Sequence, residues 1–139
     1  MNTRKIEIET IVQKPIEKVW EFWTTPKHIT NWNFANNDWH CPVASNDLRK
    51  GGKFSSTMAS KDGKMSFDFG GIYDEVIKHR EISYSLEDQR KVNIYFEKKD
   101  DNFTKITTHF EPEKTNSLEM QKGGWQAILN NFKKYVEKS

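Results

Sequence analysis

The stretch NSLEMQKGGWQAILNNFKKYV, residues 116–136, decides how the rest of the chain is read. Within it Trp125, Ile128, Leu129, Phe132 and Val136 fall at i, i+3, i+4, i+7 and i+11, the spacing of one face of an α-helix. Lys133, Lys134 and Lys138 near its end complement the negative pole of the helix dipole. Residues 54–110 behave differently, with side chains that alternate at a period of two. A lone long helix with a wide apolar stripe must bury that stripe against the sheet such segments form.

Working back from the helix, Ile106, Thr108 and Phe110 share a face of the last strand, and Val92, Ile94 and Phe96 alternate on the one before it. Earlier strands run over Ile82 to Leu86, roughly Met65 to Lys78, and Phe54 to Ala59. Asp62-Gly63 supplies the positive φ of a tight hairpin turn. Residues 33–47 carry Asn, Asp, Pro and Ser and read as loop. Before them, Ile16, Val19, Trp20 and Trp23 recur at helical spacing to about Trp23, and Thr25-Pro26 breaks that helix. A short second helix follows, with Ile29 and Trp32 inward. Residues 4–13, RKIEIETIVQ, alternate as a first strand with Ile6, Ile8, Thr10 and Val12 on one side. The order is strand, two short helices, consecutive strands and a long helix. Short turns between sequential strands imply an antiparallel meander. The expectation is an α+β architecture, a curved antiparallel sheet of six or seven strands wrapped around the C-terminal helix, in a single domain spanning 1–139. Chain length agrees, since domains run about 50–250 residues.

Composition narrows the function classes. Lys+Arg 22 against Asp+Glu 20 leaves a net charge of +2, which argues against a dominant nucleic-acid field. Lysine outnumbers arginine 18 to 4 and alternates with acids, so it reads as a solvated surface. No run of about 18 apolar residues occurs, so no membrane span is expected. Met1 to Glu9 lacks the apolar segment of a signal peptide, and the single cysteine, Cys41, forms no disulfide framework. A cytoplasmic setting is the expectation. Leu, Ile, Val and Phe together make 30 of 139 residues, close to the roughly 20% below which chains tend to disorder. The chain relies instead on 5 Trp, 9 Phe and 4 Tyr. Aromatics that fill a core and aromatics that line a pocket look the same at this stage.

Several motifs resemble a known family. They are Lys14-Pro15 leading to Val19-Trp20, Leu48-Arg49 leading through Gly51-Gly52 to Phe54, Asp62-Gly63, the Gly71-x-Tyr73-x-Glu75 segment, and Gly124-Trp125 leading to Leu129. With the element order they resemble the helix-grip fold of the START-like, or SRPBCC, superfamily. Within it they look like the branch named after the C-terminal domain of the activator of the heat-shock-protein-90 ATPase. The resemblance implies the helix-grip architecture. For function it implies a range, from ligand carriers to cyclases to co-chaperone domains, because one fold hosts many activities. The eukaryotic co-chaperone carries a separate N-terminal domain, and nothing like it fits in 139 residues, so chaperone activation is not the leading expectation.

The candidate chemistry is sparse. His28, His40, His79 and His109 are scattered, and Asp38-Trp39-His40-Cys41 matches no catalytic spacing. Adjacent residues on extended chain point to opposite sides, so His40 and Cys41 do not readily share a ligand. Lys50-Gly51-Gly52-Lys53 opens a strand rather than a helix, which removes the dipole argument for a phosphate site. No metal or cofactor is implied. The most informative segment is Met65 to Glu75, where alternation puts Met65, Phe67, Phe69, Gly71, Tyr73 and Glu75 on the inner face. Gly71 there leaves a gap. Glu75 is either a polar anchor in an apolar pocket, a strand-end residue reaching water, or a residue turned outward by a bulge at Gly70-Gly71. Gly123-Gly124 reads as a site of close packing or as the helix start. Trp20, Trp23 and Trp125 are expected in the core, and Trp32 and Trp39 at a cavity mouth.

The leading reading is a small, largely hydrophobic molecule held between sheet and helix. Its candidate contacts are Thr10, Trp32, Trp39, Phe67, Phe69, Tyr73, Glu75, Thr108, Trp125 and Ile128. A protein-interaction module with a chaperone or other protein as partner is the alternative. An enzyme using the cavity, with Glu75 or His40 as acid or base, ranks last because no nucleophile–base pair is visible.

Overall fold

In the computed structural model, which describes residues 5–139, the period-two segments form one seven-stranded antiparallel sheet. Arg4, where the first strand was expected to begin, lies outside the described residues. The strands are β1 (Ile6–Val12), β2 (Trp39–Asn46), β3 (Lys53–Ser60), β4 (Ser66–Ile77), β5 (Glu81–Leu86), β6 (Lys91–Asp100) and β7 (Phe103–Phe110). Helices α1 (Ile16–Thr24) and α2 (Pro26–Ile29) follow β1, and α3 (Leu118–Glu137) ends the chain. The spatial order is β1-β7-β6-β5-β4-β3-β2. Consecutive hairpins build β2 to β7, and β1 closes beside β7. Helices α1 and α2 therefore carry the chain from one edge of the sheet to the other. The sheet curls around α3, which is the expected helix grip.

Residues 33–47 are the largest departure from the sequence reading. They contain β2, an edge strand paired with β3 and interrupted by an irregularity between His40 and Val43. An edge strand has only one neighbour, so Pro42 and a run of polar residues are tolerated there, and the usual alternation is lost.

The core is aromatic where it is thickest. Trp20 and Trp23 of α1 both meet Phe96 of β6 edge-on, at 5.1 and 5.8 Å between centroids. Trp23 also packs on Trp32 at 4.8 Å and on Phe132 of α3 at 4.8 Å. The Trp32 indole N–H donates to the Phe22 carbonyl at 3.0 Å, and Asn131 donates to the Trp32 carbonyl at 2.9 Å. A buried tryptophan thus has its polar atom satisfied. Helix α3 starts cleanly because the Ser117 hydroxyl accepts from the Met120 amide at 3.1 Å.

Two glycine pairs have opposite meanings. A Cβ on Gly71 would lie 2.2 Å from the Ser85 carbonyl oxygen, and one on Gly70 would lie 2.5 Å from the Phe54 carbonyl oxygen. The expected gap at Gly71 is therefore occupied by the neighbouring strand's backbone. Gly123 and Gly124 sit inside α3, yet a Cβ on either would meet nothing within 4 Å. Close packing, the favoured reading for that pair, does not occur there.

The α2–α3 contact has a titratable member. His28 stacks on Phe22 at 3.8 Å between centroids, and its Nδ1 lies 2.8 Å from the Tyr135 hydroxyl. Loss of hydration at this position lowers the imidazole pKa from its usual 6.5; Glu21 opposes the shift and Lys27 adds to it.

Two predictions follow from this packing. Gly71→Ala should destabilise by about 1–3 kcal/mol, as overpacking does, whereas Gly124→Ala should stabilise by roughly 0.5–1 kcal/mol through its better helix propensity. Urea unfolding of the two variants checks both signs. The His28 shift favours the neutral form in the folded state, so its contribution is present above pH about 6.5 and is lost as pH falls through the lower folded value. Wild-type stability should then drop between neutral pH and mildly acid pH more steeply than that of His28→Gln. Parallel slopes would show that His28 does not carry this pH dependence.

Candidate functional site

A cavity of about 360 Å³ lies between the inner face of the curled sheet and α3. Its position follows from register. Antiparallel partners share a face, so the row Ile8, Thr108, Ile94, Ile82 runs across β1, β7, β6 and β5 on the inner side. The next row includes Phe110, Val92, Tyr84 and Tyr73. Phe54, Ser56 and Met58 continue the wall on β3, with Phe67 and Phe69 on β4. Helix α3 supplies Trp125, Ile128 and Leu129 as the roof. Trp125 stacks on Phe110 at 4.0 Å with an 8° interplanar angle and meets Phe69 edge-on at 5.8 Å.

Of the sequence-derived candidates, Trp32, Phe67, Phe69, Tyr73, Thr108, Trp125 and Ile128 line this cavity. Phe67 stands at the mouth, 52% exposed. Thr10, Trp39 and Glu75 do not line it, and each has a physical reason. Thr10 has the inward parity, but it pairs with Ile106, next to Phe96, at the end of the sheet that the tryptophans of α1 fill. Trp39 sits on β2 and supports Phe67 from behind, with ring centroids 5.8 Å apart. Glu75 is turned out by a bulge, placed between Tyr73 and Glu75 rather than at Gly70-Gly71. Tyr73 opposes Tyr84 and Val76 opposes Ile82, which makes both inward, so Glu75, opposite Ser83, falls on the other face.

Polar side chains make up the smaller share of the lining. The Tyr73 hydroxyl donates to Asn46 Oδ1 at 2.5 Å, and Asn46 Nδ2 donates to the Thr24 carbonyl at 2.6 Å. Burial pushes the Tyr73 and Tyr84 phenols well above the ordinary tyrosine value, so both stay protonated. At the mouth, Gln121 of α3 is buried and fully engaged. Its Nε2 donates to the carbonyls of Glu113 and Asn116 at 3.0 and 2.9 Å, and its Oε1 accepts from the Glu113 amide at 2.8 Å. The Glu113 carboxylate accepts from the Asn116 and Thr115 amides at 2.7 and 3.2 Å, which holds its pKa below the usual range. Gln121 thus ties the β7–α3 connection down beside the opening. Arg90, on the β5–β6 turn, also lines the cavity.

Sequence reasoning missed Asn46, Ser56, Tyr84, Arg90 and Gln121. Tyr84 was recoverable, because it shares the parity of Ile82 and Leu86 on a strand read correctly. Asn46 was hidden when β2 was read as loop, and Gln121 carries no periodic signal.

His40 and Cys41 offer no joint chemistry. His40 is exposed and Cys41 buried, and burial raises the Cys41 thiol pKa, which keeps it protonated. Among the described residues, no group of three or more His, Cys, Asp or Glu side chains converges as a metal site, and no helix is long and apolar enough to cross a membrane.

Residues 13–137 match the model of the family described as Activator of Hsp90 ATPase homolog 1-like protein. The chain belongs to that family. A solution structure of an Activator of Hsp90 ATPase homolog 1-like protein from Aeromonas hydrophila superposes with a TM-score of 0.90 at 39% identity, covering 96% of this chain and 92% of that one. A solution structure from Cytophaga hutchinsonii reaches 52% identity and a TM-score of 0.83 with the same coverage of 96% and 92%. A crystal structure from Chromobacterium violaceum has a TM-score of 0.84 at 20% identity, over 96% of this chain and 98% of that one, a likeness of fold alone. Comparison with curated proteins finds no match.

For this member of the Activator of Hsp90 ATPase homolog 1-like family, Gln121→Leu should free the backbone groups of Glu113 and Asn116. The expected result is faster amide exchange over residues 113–117, with the amides of β5 and β6 unchanged. Equal protection in both proteins would show that Gln121 does not hold the mouth.

Proposed function

We propose that the chain acts as a single domain that binds a small, largely apolar molecule in the cavity between its sheet and α3. The observation that carries this reading is the cavity itself, about 360 Å³ with mostly aromatic and aliphatic walls. That volume falls within the roughly 300–1,000 Å³ of small-molecule sites, which pair apolar walls with a few placed polar groups. Trp32, Phe67, Phe69, Tyr73, Thr108, Trp125 and Ile128 are the proposed contacts. A second reading, a module that docks on another protein, draws support from the family's description and from Met65 and Phe67, 63% and 52% exposed where β4 begins. Cavity binding is the better supported, because Phe67 already has a role as the lip of the opening.

The test uses the neutral fluorescent probe 1-aminoanthracene. Wild-type protein should bind it at one site, and Ile128→Trp, which fills the roof of the cavity, should weaken binding by about tenfold or more, equivalent to roughly 1.4 kcal/mol. A thermal melt confirms that the variant is folded. No saturable binding, or equal affinity in the folded variant, sinks the cavity reading. Stimulation of a purified Hsp90 ATPase by both proteins alike would favour the docking module instead.

A further inference from the structure

The cavity holds donors that the protein leaves unused. Tyr84 and Thr108 line it at 7% and 3% exposure. Neither hydroxyl has a hydrogen-bond partner among the described residues. Among the described residues no side-chain polar atom sealed off from solvent lacks a partner, so both hydroxyls open onto the cavity. A molecule entering the cavity displaces water from these hydroxyls, and one able to accept their hydrogen bonds replaces what is lost.

Arg90 adds a charge on the same wall. Its position is set by a tight turn, in which Leu86 and Arg90 are joined by a backbone bond of 2.9 Å and Gln89 adopts a φ of 74°. Arg90 Nε donates to Asp88 at 2.7 Å, while its two terminal nitrogens have no partner among the described residues. The guanidinium lies near enough to Tyr84 to act on its phenol electrostatically, partly opposing the effect of burial. Glu113, the carboxylate among the lining residues, already has both oxygens occupied by backbone amides. Arg90 thus brings donors that cannot also accept, beside two hydroxyls that can do either.

Resting on the cavity reading above, we propose that the ligand is an apolar monocarboxylate, with its carboxylate at Arg90 and Tyr84 and its apolar body among Phe54, Phe69, Trp125 and Ile128. The planar fork of a guanidinium matches a carboxylate in geometry. One arginine, already shared with Asp88, supplies too little charge to offset a dianion such as a phosphate monoester. Lysine is absent from the walls. A neutral head group would leave the terminal guanidinium nitrogens without a charged partner.

Decanoate and 1-decanol separate the two contributions, since they share an apolar chain and differ in the head. Trp23, Trp32 and Trp125 lie in the walls, so intrinsic fluorescence reports binding without a label. Wild-type protein should bind decanoate about tenfold more tightly than decanol, the usual scale of one charge-assisted hydrogen bond. Arg90→Met should remove that preference and leave decanol affinity within about twofold, and Tyr84→Phe should weaken decanoate severalfold. Both variants are checked by thermal melt. Decanol binding as tightly as decanoate, or Arg90→Met weakening both equally in a folded protein, overturns the monocarboxylate assignment and leaves the cavity reading standing. Binding of neither molecule overturns both.

Discussion

The arrangement hangs on one ring. Trp125 of α3 stacks on Phe110 of β7 and meets Phe69 of β4 edge-on. In sheet order, β6 and β5 lie between those two strands. In a flat sheet, three strand spacings would hold them roughly 14 Å apart. Both contact the same indole, at 4.0 and 5.8 Å, so the sheet has to curl. The curl in turn needs strands that can approach closely at the bend. Gly70 and Gly71 supply this, because a Cβ on either would run into the backbone of β3 or β5. The helix and the bend are thus two halves of one constraint, and the cavity is the space left between them.

One end of the groove is filled and the other is not, and this difference makes a site out of a core. At the filled end, Trp20, Trp23, Trp32, Phe96 and Phe132 interlock at centroid distances of 4.8 to 5.8 Å. Large aromatics let a chain poor in leucine bury enough area, since each ring covers about 150–250 Å². At the open end, small and polar groups interrupt the aromatic wall: Ser56, Thr108, Asn46 and the hydroxyls of Tyr73 and Tyr84. Gln121 keeps the backbone beside this opening ordered without placing bulk in it.

The sheet and the long helix were legible because burial imposes a period. Val92, Ile94 and Phe96, or Trp125, Ile128, Leu129 and Phe132, repeat at the spacing of the face they bury. The same logic failed where burial imposes no period. Edge strand β2 has one neighbour and a mixed environment, so its residues read as loop. At Glu75 the alternation was right up to Tyr73 and then shifted by one residue, because an extra residue in one strand changes the parity of everything after it. The bulge, anticipated at Gly70-Gly71 and found between Tyr73 and Glu75, left no mark in the amino-acid types. Seven candidate positions fell on the cavity: six lay before the bulge on β4, on helix α3 or on a strand whose register held, and Trp32 lies in the turn after α2. The polar groups at the opening had no comparable signal: Arg90 sits on a turn, and Gln121 is one glutamine among the polar residues of a helix.

The size of the space bears on what occupies it. Dry cavities left by truncated side chains cost on the order of 24 cal/mol per Å³. This cavity of about 360 Å³ opens to solvent beside Phe67, so it is not a sealed void of that kind, and water enters it when no other molecule does. Water can serve where hydroxyls and an arginine offer it partners, but it cannot satisfy the aromatic walls. A purely apolar molecule has the opposite fault, since it covers the rings and strips the Tyr84 and Thr108 hydroxyls of water without replacing the bonds. The proposed amphiphile meets both demands, with its apolar part against the rings and an acceptor at the donors. On the proposed reading, the cavity's volume limits how much of that molecule enters, and the unused donors set which end lies where.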